Sequence, residues 1–497
     1  MLILLLKAIL SSIPSSHSIL ATIKIMSENS FAPPESFVKL VRNGLLQLKQ
    51  GKPSDLEELL YIVRLRHSKE AQQMGAVRYG VTKAIDQLEL QDPEAAAVLR
   101  QRYLDRKSIQ EIVSITHRSQ ASVHRDLRLA AEKLADILWQ HEIEEHRNYE
   151  RIQLRRLEPP TYDQLFGVDD IAQKLFDLLV DPAGPTPVML VGSGGIGKTA
   201  LADHLSRKII QAHVFTGIGW ISMRPQISLW DVRPFFTADS PEHAIEQLFE
   251  RLTAQLLGEK YVPSPFDLDK ALDRLEIFLN RSNHFIVIDN LEVFEPEETL
   301  LTILRRFTPY TKFLLTSRKS PTVYPDVYPV RIPPINAEAS LALLRHEARK
   351  RNVVSLIHAR DEDLMTIYDT VGGNPLALKL VVGQASYHAL STVLEDIQLA
   401  RGKTVQDLYD YLYRWAWSNL SEPEQKIFLA MPLLPPEGGD FEQIVAITGM
   451  DEDTVHDALE KLVSRSLVDV IPGLEQSTYA VHGLTRTFVQ EQAAKWR

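Results

Sequence analysis

Apolar residues recur along the chain with two different spacings, and each spacing covers its own part of the sequence. Residues 36–147 repeat apolar positions every three to four residues with few turn signals, which predicts an all-helical domain. Residues 160–335 instead alternate short apolar runs with amphipathic stretches, and the runs lie at 188–191, 217–222, 285–289, 313–317 and 328–332. Strands that are apolar on both sides are typical of a parallel sheet covered by helices on both faces.

These changes of pattern divide the chain into six predicted segments. We interpret residues 1–26 as an N-terminal extension that is either flexible or the product of a mis-assigned start codon. In the second case, Met26 would be the first residue. The other segments are a helical domain (27–150), a linker containing Pro159 and Pro160 (151–160), an α/β domain (161–335), a small helical domain (336–405) and a winged-helix domain with a hairpin around Pro472 and Gly473 (406–497).

Composition narrows the class of protein. Hydrophobic residues make up 44% and charged residues 24% of the 497 residues, which favours a folded chain of several domains. The absence of cysteine excludes disulfides, thiolate metal sites and cysteine nucleophiles, and it fits the reducing cytoplasm, where we expect the protein. No run of about 18 apolar residues predicts a membrane span. The net charge of -10 excludes a role for the whole chain as a basic nucleic-acid binder.

A glycine-rich segment follows the first apolar run of the α/β domain and precedes an amphipathic stretch. Its spacing matches that of a phosphate-binding loop, in which backbone N–H groups curl around an anion at the start of a helix. The lysine reaches the outer phosphates and the threonine hydroxyl binds Mg²⁺. The predicted nucleotide-binding residues of this loop are Gly192, Ser193, Gly194, Gly195, Ile196, Gly197, Lys198, Thr199 and Ala200.

A second chemical signal lies at the end of the third apolar run. Phe285 to Ile288 are apolar and deliver Asp289 to the carboxyl end of a strand, where open parallel sheets bind their ligands. With Thr199, Asp289 is the candidate Mg²⁺ residue. Asn290 follows it, and an amide cannot accept a proton from water, so Glu292 is the candidate base and hydrolysis is expected to be slow at most.

Together with this loop, several motifs resemble the NB-ARC type of STAND nucleotide switches, which includes plant disease-resistance receptors and apoptotic-protease-activating proteins. The motifs are GGIGKTALA at the loop, FTGIGWIS at 215–222, FLLTSR at 313–318, GGNPLAL at 372–378 and YAVHGLTR at 479–486. The resemblance covers residues 160–490 and implies a P-loop NTPase domain followed by a small helical domain and a winged-helix domain.

The resemblance also implies roles for individual residues. Arg318 would read the terminal phosphate, Pro375 would contact adenine, and His482 would contact the β-phosphate of ADP; Gly167 and Val168 stand where the backbone of the family meets adenine. The family binds ADP at rest and ATP with Mg²⁺ when active, and its members self-associate in the ATP state. A slow ATPase at most is therefore expected.

Residues 92–138 resemble the helix-turn-helix of sigma-factor-like regulators. Ser108 and Ser119 are placed to cap two successive helices, with His117 in the turn, and residues 99–134 hold eight basic and four acidic residues. The predicted DNA contacts are Arg118, Ser119, Gln120, Ser122, His124, Arg125 and Arg128. This pattern predicts a nucleotide-controlled transcription regulator.

Two other functions compete with this interpretation. Helical domains with an arginine-bearing face also serve as adaptors, so the chain could be a defence or signalling scaffold that recruits a protein partner without binding DNA. A fast metabolic or motor ATPase is disfavoured, because Asn290 takes the place of the expected catalytic carboxylate.

Overall fold

The structure is a computed structural model. It describes residues 32–66, 68–223, 241–291, 297–308, 310–318, 326–399, 413–414, 416–435, 438–471, 476–481, 485–486 and 488–489. Contacts divide the chain into two compact units, residues 1–152 and 153–497.

The first unit is helical throughout its described part. Its elements are α1 (Glu35–Gln50), a 3₁₀ turn (Asp55–Glu58), α2 (Leu60–Leu65), α3 (Lys69–Met74), α4 (Ala76–Gln91), α5 (Pro93–Leu99), a π-helical turn (Arg100–Leu104), α6 (Ile109–Thr116) and α7 (Gln120–Leu154). The apolar faces of these helices form one core, in which the ring of Phe37 meets the edge of Trp139 at 4.9 Å between centroids.

Helices α6 and α7 are separated by a tight turn. Ser108 and Glu111 form a capping box at the start of α6, and the Ser119 hydroxyl accepts from the Ser122 N–H at 3.2 Å at the start of α7. His117 ends α6 in the left-handed region at φ 52°, which histidine adopts more readily than β-branched residues. Arg118 holds the turn through ion pairs with two carboxylates, those of Glu94 (2.7 Å) and Asp126 (3.1 Å).

The second unit is built on a five-stranded parallel sheet. Its strands are β1 (Val188–Val191), β2 (Gly217–Ser222), β3 (His284–Asp289), β4 (Thr311–Ser317) and β5 (Tyr328–Arg331) in the spatial order β2-β3-β4-β1-β5. The surrounding helices are α8 (Asp169–Val180), α9 (Lys198–Ala212), α10 (Pro241–Leu257), α11 (Leu268–Leu279) and α12 (Glu297–Arg305).

Side chains at the end of α7, just after it and on α10 complete the open edge of the sheet. The Gln153 side-chain carbonyl accepts from the Ile218 N–H at 2.9 Å, and Arg156 donates to the Ile218 carbonyl at 2.7 Å. Gln255 of α10 accepts from the Trp220 N–H at 2.8 Å and donates to its carbonyl at 3.1 Å. These contacts satisfy edge groups of β2 that would otherwise remain available to another strand.

The rest of the second unit consists of helices and one hairpin. The helices are α13 (Ala337–Lys350), α14 (Val354–Ile357), α15 (Asp361–Val371), α16 (Pro375–Ala385), α17 (Leu390–Leu399), α18 (Glu422–Ala430), α19 (Phe441–Thr448) and α20 (Glu452–Ser464), and the hairpin pairs β6 (Asp469–Ile471) with β7 (Thr478–Ala480). A single apolar core runs through these helices and the hairpin.

The predicted fold class is confirmed. All five apolar runs form parallel strands, with helices around the sheet, a helical region before it, and a small helical domain and a helix-and-hairpin module after it. The main difference concerns the linker, because α7 continues to Leu154 and includes the first four residues of the segment predicted as 151–160. No residue of that short extension breaks a helix. Within the described parts of the chain, no helix combines the length and apolar character needed to cross a membrane.

Gly383 marks the closest approach between α16 and the chain that follows α20. A Cβ atom at this position would overlap the backbone carbonyl of Arg465, and backbone cannot rotate away as a flexible side chain would. In an exposed helix, exchanging glycine for alanine stabilises by about 1 kcal/mol. We therefore predict that Gly383→Ala has the opposite effect. The variant should lower the free energy of unfolding of the second unit by about 1–3 kcal/mol through overpacking.

Denaturant unfolding of the intact protein tests this prediction. A loss of stability with an unchanged dependence on denaturant concentration is the expected result. A gain of stability would contradict the close packing of α16 on Arg465.

Candidate nucleotide-binding site

The site lies where the order of the strands places the carboxyl ends of β1, β4 and β3 side by side. β4 lies between the other two, so the loop after β1, Thr316 near the end of β4 and Asp289 at the end of β3 converge. Open parallel sheets bind ligands at such an edge.

The glycine-rich loop has the backbone that a phosphate-binding loop requires. Gly195 and Gly197 have positive φ values of 70° and 100°, and Gly197 leads directly into α9. Lys198 is buried at the first position of the helix, and its ammonium group donates to the carbonyls of Gly192 (2.9 Å) and Ser193 (3.1 Å). The lysine therefore lies against the loop, where its charge complements an anion.

Two hydroxyl groups hold the strand-end carboxylate. Thr199 and Thr316 each donate to Oδ1 of Asp289 at 2.7 Å, and the Asp289 side chain is fully buried. A buried carboxylate is costly unless its lone pairs have donors or a cation, so this arrangement suits a divalent ion. The Thr316 hydroxyl also accepts from the Asn290 N–H at 2.9 Å.

The turn before α16 and the first turn of α16 contact the same glycine-rich loop. The Asn374 amide donates to the Gly194 carbonyl at 3.0 Å, and the Leu376 N–H donates to the Gly195 carbonyl at 3.3 Å. Gly373 adopts φ 69°, and a Cβ atom there would overlap the Ile335 carbonyl. Only glycine fits this close approach without strain.

One cavity joins all of these parts. It is lined by loop residues 194–201, by Thr316 and Arg318 of the sheet edge, and by Pro375 and Lys379 of α16. Helices α18 to α20 and the β6–β7 hairpin, together called the hairpin module, also contribute to its wall. The lining residues from this module are Ser466, Leu467, Asp469, Ala480 and Val481. Burial raises the pKa of the Asp469 carboxyl, an effect that Lys379 opposes. The α/β domain, the small helical domain and the hairpin module thus enclose one space.

The segment before α8 closes another part of the cavity. Tyr162, Phe166 and Val168 line it, and the Tyr162 hydroxyl donates to Asp203 of α9 at 2.8 Å. Burial raises the pKa of the Tyr162 hydroxyl, as does the neighbouring Asp203 carboxylate, so the hydroxyl remains a donor. Arg207 binds both oxygens of that carboxylate, at 2.8 and 3.0 Å. This network ties the segment to the helix that begins at the glycine-rich loop.

Most of the predicted site residues come together at this cavity. Val168, Gly194 to Ala200, Arg318 and Pro375 line it, and Asp289 binds the hydroxyl of Thr199. Gly192 and Ser193 contribute the carbonyls that accept from Lys198. Gly167 has φ 65° and packs against Ala339 of α13. Glu292 and His482 lie outside the described residues.

The predicted DNA contacts lie in the first unit. Arg118 and Ser119 belong to the turn between α6 and α7. Gln120, Ser122, His124, Arg125 and Arg128 lie in the first three turns of α7, and all but the partly buried Ser122 are exposed. The ion pairs of Arg118 with Glu94 and Asp126 distinguish this residue from the other arginines of the group.

The donor set fits the predicted cofactors. Backbone amides of a curled glycine loop, an ammonium group and a helix N-terminus form an anion site, and a threonine hydroxyl beside a buried carboxylate provides hard oxygen ligands. Lys198 would hold the phosphates of a nucleotide, and Thr199 with Asp289 would hold Mg²⁺. The bound ion would neutralise part of the phosphate charge.

Comparison with known families agrees with this geometry. Residues 168–353 match the NB-ARC domain family. Over these residues the chain is similar to that family. The matched range runs from the start of α8, through the whole sheet, to the residues after α13, and it includes the glycine-rich loop, Asp289 and Arg318.

Curated relatives resemble this chain over part of their length. A WD repeat-containing protein of Nostoc sp. is 26% identical over 213 residues, which are 39% of this chain and 16% of that protein. The probable disease resistance proteins RF45 and RDL5 of Arabidopsis thaliana are each 29% identical over 153 residues, 31% of this chain and 14% of those proteins. The chain thus spans only about one seventh of the length of these relatives.

Solved structures also match part of the chain at low sequence identity. A STAND protein with a tetratricopeptide repeat sensor from Pyrococcus horikoshii is 18% identical, and the match covers 67% of this chain and 44% of that chain with a TM-score of 0.43. A Drosophila ORC structure bound to DNA is 15% identical, and the match covers 66% of this chain and 95% of that chain with a TM-score of 0.33.

Several residues at the site are not found by sequence reasoning alone. Thr316 carries one weak signal, a polar residue directly after the apolar run Phe313 to Leu315. Asn374 precedes a proline at a helix start, which predicts its capping role but not its contact with the loop. The Tyr162–Asp203 pair has no local signal, because the two residues are 41 positions apart.

Thr199 and Thr316 offer a matched test of the Mg²⁺ site. Each donates one hydrogen bond of 2.7 Å to the same oxygen of Asp289, but only Thr199 lies on the glycine-rich loop. We predict that Thr199→Val removes most of the difference in ADP affinity between Mg²⁺ and a chelator, because the Mg²⁺ ligand is lost. Thr316→Val loses a comparable hydrogen bond and should retain that difference. Isothermal titration of each variant provides the measurement, and equal loss in both would contradict the assignment.

Proposed function

We propose that the protein is a nucleotide-dependent signalling switch that binds ADP at rest and ATP with Mg²⁺ when active. The observation that carries this proposal is the cavity, whose wall comes from the NB-ARC domain, the turn and helix α16, and the hairpin module. A ligand shifts a conformational equilibrium only if its affinity differs between the two arrangements. A ligand that touches all three modules meets this condition, because separating them removes part of its binding site.

The proposed switch is a slow ATPase at most. Asn290 lines the cavity directly after the buried Asp289, and its amide cannot act as a general base. Arg318 lines the cavity from the end of β4, and its guanidinium suits the terminal phosphate of ATP. Turnover well below the roughly 1 s⁻¹ at the lower end of ordinary enzymes is therefore expected.

Nucleotide binding is the first test of the switch. The purified protein should bind ADP, and Lys198→Ala should weaken that affinity about 10- to 100-fold, because a charge-assisted contact to phosphate is lost. Lys208→Ala removes the same charge from the same helix, at a lysine that instead binds Gln173 at 2.6 Å, and should leave the affinity unchanged. Calorimetry measures both variants.

A second measurement follows the conformation. Molar mass and hydrodynamic radius should differ between the ADP and ATP forms, with self-association in ATP. The absence of heat with either nucleotide, or identical behaviour in both, would refute the switch.

For the output of the switch, we propose transcription regulation through the N-terminal helical domain. Support comes from the capped helix pair α6 and α7 with its three-residue turn, and from exposed Arg125 and Arg128 on α7. Arginines on such a helix can contact phosphates or bases of duplex DNA. The paired state of Arg118 favours a structural role for this residue in the turn.

A specific observation also favours the alternative output, recruitment of a protein partner. Ile115 of α6 and Leu129 of α7 are large apolar side chains that are 49% and 44% exposed, and apolar side chains that join into one exposed patch are common at protein interfaces. A scaffold of this kind would not require DNA, and a pairing through these two side chains would be insensitive to salt.

The salt dependence of DNA binding distinguishes the two outputs. We predict that the protein binds duplex DNA at low salt and that Arg125→Ala with Arg128→Ala reduces the slope of log K against log salt by roughly 2, because each phosphate contact contributes about 0.9. Arg66→Ala, an exposed arginine outside α6 and α7, is the control. The absence of DNA binding even at low salt would favour the scaffold.

A further inference from the structure

Four successive backbone carbonyl groups of the glycine-rich loop, those of residues 192–195, accept hydrogen bonds from other parts of the protein. Lys198 donates to Gly192 and Ser193, the first two residues of the loop. The next two carbonyls, those of Gly194 and Gly195, accept from the small helical domain. The carbonyls of the first half of the loop therefore accept from Lys198, which follows the loop directly. Those of the second half accept from residues at the start of α16.

Peptide geometry gives this second contact a consequence for anion binding. The carbonyl of one residue and the N–H of the next lie in one plane and point in opposite directions across a trans bond. The Gly194–Gly195 and Gly195–Ile196 bonds are trans. Holding the Gly194 and Gly195 carbonyls therefore fixes the directions of the Gly195 and Ile196 N–H groups, which belong to cavity-lining residues.

The hydrogen bond of the Ile196 N–H and the backbone conformation of Gly195 are both consistent with such fixed amide directions. The Ile196 N–H has a long contact of 3.4 Å with the Ser193 carbonyl, a weak bond that an anion could replace. Gly195 adopts φ 70°, one of several conformations open to glycine, so contacts from outside the loop help to select the orientation of the peptide planes on either side.

Asn374 is buried, and both polar atoms of its side chain form hydrogen bonds. Its side chain is 3% exposed. Its carbonyl oxygen caps α16 by accepting from Leu376 N–H (3.1 Å) and Ala377 N–H (3.4 Å), while its amide donates to Gly194. Serine and aspartate cap helices about as well as asparagine, so the capping function alone does not require an amide donor.

From these contacts we propose that Asn374 is a positioning residue for phosphate binding. It orients the loop amides and thereby couples the docking of α16 to the anion. The inference rests on the proposed nucleotide binding and deepens it, because it names the residue that links the small helical domain to the phosphate part of the ligand. By thermodynamic reciprocity, an anion in the loop then favours the docked position of α16.

The test removes the side-chain amide donor of residue 374 and keeps an oxygen that can cap α16. Asn374→Ser preserves a capping oxygen and removes the amide, and Asn336→Ser makes the same exchange at the exposed cap of α13, where Asn336 accepts from Ala339 N–H at 2.8 Å. In the intact protein, ADP, pyrophosphate and adenosine compete with a fluorescent adenine nucleotide whose own affinity is measured for each variant. Pyrophosphate probes the loop, and adenosine probes the rest of the site.

For Asn374→Ser we expect about five- to tenfold weaker binding of ADP and pyrophosphate, with adenosine unchanged. Asn336→Ser should leave all three affinities unchanged. Equal weakening of all three ligands by Asn374→Ser would show a merely structural role and overturn the proposal, as would three unchanged affinities. Wild-type protein that binds none of the three would instead refute the proposed nucleotide binding itself.

A second variant covers the case in which Asn374→Ser does not fold. Asn374→Asp has nearly the same shape and retains the cap but replaces the donor with a carboxylate. It should bind pyrophosphate at least as weakly as Asn374→Ser does, because the amide donor is lost and a carboxylate faces the loop, while adenosine binding stays unchanged. Wild-type pyrophosphate affinity in this variant would contradict the positioning role.

Discussion

Backbone amides that must point at an anion place their carbonyls on the opposite side of the loop, and those carbonyls need donors of their own. In this protein the donors come from two sources, the ammonium group of Lys198 and the turn that carries Asn374. The first belongs to the loop and moves with it. The second belongs to another module, so the loop cannot keep its shape independently of how that module is docked. The proposed switch depends on this constraint more than on any other contact of the site.

The sheet imposes a second constraint on the same site. Because β4 lies between β1 and β3, Thr316 stands beside Asp289, and the carboxylate is buried with two hydroxyl donors. Burial of an unpaired carboxylate would be costly, and these donors offset that cost in the absence of a cation. Thr199 of the loop thus connects the predicted phosphate-binding part of the site to the carboxylate predicted to bind Mg²⁺.

Arginines of the N-terminal helical domain lie in different environments. Arg118 lies in the turn between α6 and α7 and is used by two ion pairs that hold the turn, whereas Arg125 and Arg128 are exposed on α7. Exposed ion pairs contribute little stability one by one, but two carboxylates on one guanidinium fix its direction. The spacing of basic residues in the sequence could not separate these roles.

The sequence by itself determined the strands, the phosphate-binding loop and the helix caps, because each depends on neighbours within a few residues. Alternating apolar runs specify buried strands, glycines permit the positive φ of the loop, and Ser108, His117 and Ser119 mark the α6–α7 turn as the structure has it. Tertiary structure alone decided which groups meet across the chain. Asn374 and Gly194 are 180 residues apart, and Thr199 and Asp289 are 90 apart. No local pattern records such pairs, since they exist only when separate modules have packed around one cavity.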